Sequence, residues 1–140
     1  MNSLRPLHTA ATISQMRREF GVTARALRFY EEQGLLSPVR RQHVRVYSHR
    51  DRVRLKLILK GRRVGFTLRE LRDLLDLYDQ EGAAAQLAKA LPLLRRQVTA
   101  LGAQRSRLDG AIEKLNTALT RLTQEQVADV ADKDQRQDRA

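Results

Sequence analysis

Arg25 and Arg28 stand three residues apart in the stretch Thr23 to Leu36, TARALRFYEEQGLL. A guanidinium is a planar fork of N–H donors that keeps its charge at any ordinary pH. It bridges O6 and N7 of guanine or grips a phosphate from two sides. Glu32 falls on the same helical face as the two arginines, so an ordinary surface ion-pair set is the competing reading. Arg17 and Arg18 just upstream favour a polyanion. Further arginines cluster at Arg40, Arg41 and Arg45 in VRRQHVRVY and at Arg62 and Arg63 in GRRVGF.

These side chains need elements to present them. Ser14 is placed to cap a short helix, Gln15 to Phe20, with Gly21 as its left-handed stop. Thr23 caps the next helix, on which Leu27 and Tyr30 face inward. Two short helices joined by a Gly-containing turn form a helix-turn-helix pattern. After Gly34, Leu36 to Pro38 and Arg45 to Tyr47 are expected as two short strands around a basic tip, VRRQHV. A hairpin there is a wing, with Arg40, Arg41 and Arg45 near phosphates. Ser48-His-Arg-Asp51 reads as a capping box opening a helix to about Arg63. Val53, Leu57 and Val64, with Leu55, Ile58 and Leu59, are its expected buried side, and Arg52, Lys56, Lys60 and Arg63 a basic stripe. Thr67-Leu-Arg-Glu70 reads as a second capping box. It opens a helix with an apolar stripe of Leu68, Leu71, Leu75 and Tyr78. Asp76 to Gly82 reads as an acidic hinge and domain boundary.

Charge supports this division. The chain of 140 residues has a net charge of +11, and all of that excess falls before Asp76. A basic first half joined to a neutral second half suggests a polyanion-binding module attached to something else. Cysteine is absent, which removes disulfides and thiolate metal sites. No Cys/His pair, zinc spacing, P-loop or paired carboxylates occur. The expectation is therefore no enzyme, no catalytic residue, no cofactor and no metal. No signal-peptide pattern or membrane span is visible, and a cytoplasmic, nucleoid-associated location is expected.

The second half is the more regular. Leu87, Leu91, Leu94, Val98, Leu101, Arg105, Leu108, Ile112, Leu115, Leu119 and Leu122 recur in steps of four and three. That is roughly 54 Å of helix at ~1.5 Å per residue. A stripe so narrow needs a partner helix, which predicts a coiled coil and a homodimer. Arg105 is the one charge in the seam and is read as a register-setting residue. Pro92 is expected to start or kink the helix. The expected organisation is a flexible leader over 1–11, a winged helix-turn-helix domain over 12–82, a dimerisation helix over 83–124 and a disordered tail over 125–140.

Taken in order, Ile13-Ser14, FGVTARALRFYEEQGLLSP, Arg45-Val46-Tyr47-Ser48 and RRVGFTLRELRDLLDLYD resemble the MerR family of bacterial transcription regulators. The resemblance covers about Thr12 to Leu122. It implies a mainly α fold: a winged helix-turn-helix DNA-binding domain followed by a long helix that forms an antiparallel coiled coil. It places Thr23, Arg25, Arg28 and Tyr30 on the recognition helix, Arg40, Arg45 and Tyr47 in the first wing, and Arg62 and Arg63 before a second. With Arg17 and Arg18 these are the candidate DNA-binding residues. The chain departs from the family pattern at His43-Val44, where the wing usually has a glycine, and in lacking the cysteines of the metal- and redox-sensing branches. His8, His43 and His49 make a poor substitute metal site. It is most similar to the short branch that includes regulators of branched-chain amino-acid and acyl-CoA breakdown.

The resemblance implies a homodimer on an inverted-repeat operator in double-stranded DNA. The dimer would bend and untwist a promoter spacer for RNA polymerase, with a small organic effector, acyl-CoA-like or other, as the candidate input. Repression without distortion fits the same residues. The rival class is an architectural or recombination-directionality protein that bends DNA with no effector.

Overall fold

The computed structural model describes residues 10–139. The elements in order are strand β1 (Ala11–Thr12), helices α1 (Ile13–Phe20) and α2 (Ala24–Glu32), strands β2 (Val39–Arg41) and β3 (Val44–Tyr47), and helices α3 (His49–Arg63), α4 (Leu68–Glu81) and α5 (Ala83–Asp138). The mainly α, winged helix-turn-helix reading holds. Of the expected leader 1–11, residues 1–9 lie outside the described residues. Its last residue, Ala11, is buried at the start of β1.

Helix α1 starts earlier than expected, and Thr12 rather than Ser14 is its cap. The Thr12 hydroxyl accepts the Gln15 N–H at 3.3 Å, and the Gln15 side-chain oxygen accepts the Thr12 N–H at 2.9 Å. Thr12 is held in extended backbone by β1, which pairs antiparallel with β3 in the order β1-β3-β2. Gly21 stops α1 at φ +64°, and Thr23 caps α2 by accepting the Ala26 N–H at 3.0 Å. The carbonyl of Tyr30 takes the N–H groups of Leu35 and Leu36 as the chain leaves α2, and both leucines enter the core.

The wing strands are displaced from the positions expected for them. The Ser37 N–H is donated to Asp51 Oδ1 at 2.9 Å and Pro38 has no N–H, so pairing begins only at Val39. What read as the tip is mostly strand. The turn is Gln42-His43, both left-handed at φ +50° and +66°. Two positive φ values are what a two-residue hairpin turn of the primed type demands, usually met by Asn-Gly. Asp51 also completes the Ser48 capping box, accepting the Ser48 N–H at 3.2 Å. One buried carboxylate therefore ties down both ends of the hairpin.

Helix α3 buries a different face from the one expected. Leu55 and Ile58 are fully buried, but Val53, Leu57 and Val64 are exposed, while Arg52 and Arg54 are buried. The exchange is possible because both arginines are neutralised. Arg52 pairs with Glu19 of α1 at 2.5 Å. Arg54 donates to the Leu35 carbonyl at 2.6 Å, to Asp79 at 2.9 Å and to Asp76 at 3.1 Å. Gly61 lets α4 approach: a Cβ there would lie 2.3 Å from Leu71 Cδ2.

Thr67 caps α4 by accepting the Glu70 N–H at 3.1 Å. The return half of the expected box is not made, because the Glu70 carboxylate turns to Arg96 at 2.9 Å. Leu71 and Leu75 are buried, but Tyr78 at the end of the stripe is exposed. The core gathers Ala11, Met16, Leu27, Leu35, Leu36, Tyr47, Leu55, Ile58, Phe66, Leu71 and Leu75.

The chain divides into two compact units, and the division falls between Gln97 and Val98 rather than at Gly82. Gly82 does end α4, at φ +89°. The first turns of α5 nevertheless belong to the first unit. Gln86 donates to the Leu74 carbonyl at 3.1 Å, Gln97 to that of Val64 at 2.5 Å, and Leu93 packs on the core. Pro92 lies inside α5 and does not start it. The second unit is helical and buries no residue of its own. Residues 125–138, expected as disordered, continue α5. Ion pairs one turn apart support them: Arg121–Glu125, Asp129–Lys133 and Asp132–Arg136.

Candidate nucleic-acid interface

Helix α2 carries the residues expected on a recognition helix. Its short length suffices because Leu27 is buried completely against the core while Tyr30 is half-buried, which fixes the rotation of the helix. With that face inward, Thr23, Arg25 and Arg28 are exposed. Helix α1 exposes Arg17 and Arg18, which with Ser14 and Val22 line a shallow open depression. Arg40 and Arg41 are exposed on β2, and Arg62 and Arg63 at the end of α3.

The arginines divide into two groups by their partners. Arg45, Arg50, Arg52, Arg54 and Arg96 pair with Glu31, Asp79, Glu19, Asp76 with Asp79, and Glu70 respectively. Arg72 bonds Gln33 at 3.4 Å. Among the described residues, Arg17, Arg18, Arg25, Arg28, Arg40, Arg41, Arg62 and Arg63 make no such pair. Much of the domain's acid is thus committed to arginines that hold elements together. These eight unpaired guanidiniums lie on α1, α2, β2 and the end of α3; Arg69 on α4 also makes no ion pair among the described residues.

Two expected site residues have different settings. Tyr47 is fully buried, with its hydroxyl unpartnered among the described residues. Burial first, and then the Glu31 carboxylate, raises its phenol above the ordinary range. It is a core residue under the wing, not a side chain offered to phosphate. Arg45 is partly buried and donates from Nε to Glu31 at 3.1 Å. The eleven seam positions from Leu87 to Leu122 are exposed on α5, Arg105 among them, and none is buried by this single chain.

Three contributors escaped the sequence reading: the buried pair Arg52 and Arg54, the double role of Asp51, and strand β1. Arg52 and Arg54 had a readable signal, since they share a helical face with Leu55 and Ile58. Their counterions, Glu19, Asp76 and Asp79, are too distant in sequence to be matched by spacing.

A winged helix-turn-helix followed by a long helix with an unburied heptad seam defines a class of protein. Comparison narrows it. A family profile described as "MerR HTH family regulatory protein" matches residues 11–78, and one described as "MerR, DNA binding" matches residues 52–118. The HTH-type transcriptional regulator CueR of Yersinia pestis is 39% identical over 85 residues, 59% of this chain and 61% of that one. Heavy metal-dependent transcription regulator 1 of Rhizobium meliloti is 31% identical over 104 residues, 73% and 67% of the two chains. The crystal structure of HiNmlR, a MerR family regulator lacking the sensor domain, bound to promoter DNA, superposes with a TM-score of 0.59. It covers 75% of this chain and 80% of that one at 21% identity, a likeness of fold. The chain belongs to the MerR family of helix-turn-helix regulators. It spans about half to two-thirds of the length of the curated relatives above and of other CueR sequences.

Proposed function

We propose that this chain is a sequence-specific, DNA-binding transcription regulator that acts as a homodimer on an inverted-repeat operator within a promoter. The observation that carries the proposal is the set of unpaired arginines on α1, α2, the wing and the end of α3, in a domain that neutralises Arg45, Arg50, Arg52, Arg54 and Arg96 internally. Arg25, near the start of α2, reads a base edge, with guanine the favoured partner. Arg17, Arg18, Thr23, Arg28, Arg40, Arg62 and Arg63 bind phosphates, which sets register without reading sequence. Tyr30 packs behind the recognition helix. The exposed α5 seam supports dimerisation, since apolar residues at this spacing need a second helix. The family likeness and the promoter DNA held by the fold neighbour support a promoter as the target.

Bending and untwisting the spacer for RNA polymerase costs on the order of 1–6 kcal/mol, offset by contacts made in the bent state. An organic effector, acyl-CoA-like or other, would act by favouring that state. A thiolate-held metal cannot be the input through this chain, which has no cysteine. The test is selection of duplexes from a random pool, followed by transcription from promoters that carry the selected site. An inverted repeat between promoter elements is the expected result. Binding without sequence preference would overturn the proposal.

A further inference from the structure

Glu31 is an acid in an unfavourable place. It lies in the last turn of α2, where the helix dipole disfavours a carboxylate. It also lies between two arms of a basic surface. Arg40 and Arg45 stand directly opposite each other across β2 and β3, a like-charge pair that by itself weakens a hairpin. Glu31 Oε2 accepts from Arg45 Nε at 3.1 Å, and the two side chains are only 29% and 26% exposed. That bond uses a single N–H of the guanidinium. The two Nη groups of Arg45 have no partner among the described residues. An arginine fixed at Nε still presents its terminal fork, the geometry that matches two phosphate oxygens at once.

We propose that Glu31 is a positioning residue for DNA binding: it clamps Arg45 by Nε and thereby aims the Nη fork of the wing at the DNA backbone. The inference rests on the DNA-binding reading above. It makes a prediction opposite to that of simple charge. Deleting a carboxylate from a basic DNA-facing surface ordinarily tightens binding to any sequence. Here the deletion releases Arg45 from its fixed direction and loses a phosphate contact.

The experiment measures binding of the full chain to two duplexes across a range of salt: one selected by the wild-type protein from a random pool, and a scrambled duplex of the same composition. E31A is expected to weaken binding to the selected duplex severalfold and to lower the salt slope by about 0.9 per chain, the signature of one lost phosphate contact. R45Q should do the same, and E31A/R45Q should be no worse than R45Q alone, because both remove one contact. R45K keeps the charge but has neither the Nε–H that Glu31 holds nor a terminal fork, so it should also lose the contact. E31Q keeps an acceptor at the same place and should fall between wild type and E31A. Tighter binding by E31A to both duplexes would overturn the proposal. So would additive losses in the double variant, or wild-type behaviour in R45K. Thermal melts by circular dichroism separate these outcomes from unfolding. If the wild-type chain itself shows no preference for its selected duplex, the DNA-binding reading fails and not merely the role of Glu31.

Discussion

Arg54 donates from Nε to the backbone carbonyl of Leu35 at 2.6 Å, so a buried charge on α3 terminates the segment that leaves the recognition helix. The other nitrogens of the same guanidinium reach Asp79 and Asp76 on α4. One side chain thereby references α2 to the α3–α4 pair. Arg54→Met removes all three bonds and leaves the carbonyl without its donor. The carboxylates are partly exposed and can rehydrate, which limits the loss. A destabilisation of about 1.5–3 kcal/mol is expected, the range for hydrogen bonds to charged groups. Chemical denaturation measures it, and a change below experimental error would remove Arg54 from this role.

Gly61→Ala is a second probe of how α3 meets α4. The new Cβ would overlap Leu71 Cδ2, so this core side chain would have to shift against its buried neighbours. Overpacking costs about 1–3 kcal/mol, against about 1 kcal/mol gained in helix propensity. A net loss of stability is expected, and Leu71→Ala in the same chain should reduce the penalty of Gly61→Ala. Equal penalties with and without Leu71 would contradict the close approach.

Acid should weaken the Arg50–Asp79–Arg54 cluster. The hydrogen bond from Arg50, and then the charges of Arg50 and Arg54, hold the Asp79 carboxyl below its ordinary range. A depressed folded-state value adds stability above the unfolded value of about 3.9, and that stability is lost as pH falls through the folded value. The group is partly exposed, so the effect is small. Stability measured against pH should fall less steeply below about pH 4 in Asp79→Asn. Parallel curves for the two proteins would show that the cluster does not titrate with folding.

Arg25 and Arg63 should behave differently on DNA. Arg25→Ala is expected to relax preference at one base position per half-site, at a cost of about 1–3 kcal/mol against the preferred base. Arg63→Ala should weaken all sequences alike and reduce the salt slope by about 0.9 per chain. Binding titrations against a set of single-position operator variants distinguish the two. Equal, sequence-independent losses would displace Arg25 from base reading.

Leu101→Asp with Leu108→Asp should give a monomer that no longer binds its operator. Both leucines are exposed in the single chain, so the change costs the folded monomer little. Light scattering reports the mass. A dimer that survives both substitutions would refute the coiled-coil seam.

The elements that were legible are those specified locally. Thr23, Ser48 and Thr67 announce helix starts because a cap needs only its own next three residues. Gly21 announces a stop for the same reason. Arg17, Arg18, Arg25, Arg28, Arg40, Arg62 and Arg63 were identified and are exposed. Local pattern failed where distant residues decide. Asp51 pulls the wing strands out of their expected frame by engaging Ser37, fourteen residues earlier. Glu19, Asp76 and Asp79 turn Arg52 and Arg54 from surface charges into interior ones. Those counterions lie too far away in sequence for spacing to match them, and Val53 and Leu57 are expected on the wrong side of α3.

The two bonds that Asp51 makes at the foot of the hairpin give the wing the mechanics of a cantilever. Its root is clamped by one carboxylate, and Glu31 props it at mid-span. Only the length beyond Arg45 is then left to bend, and it ends in the left-handed pair Gln42 and His43. That overhang, with Arg41 in it, has no side-chain hydrogen bond or ion pair to a helix among the described residues.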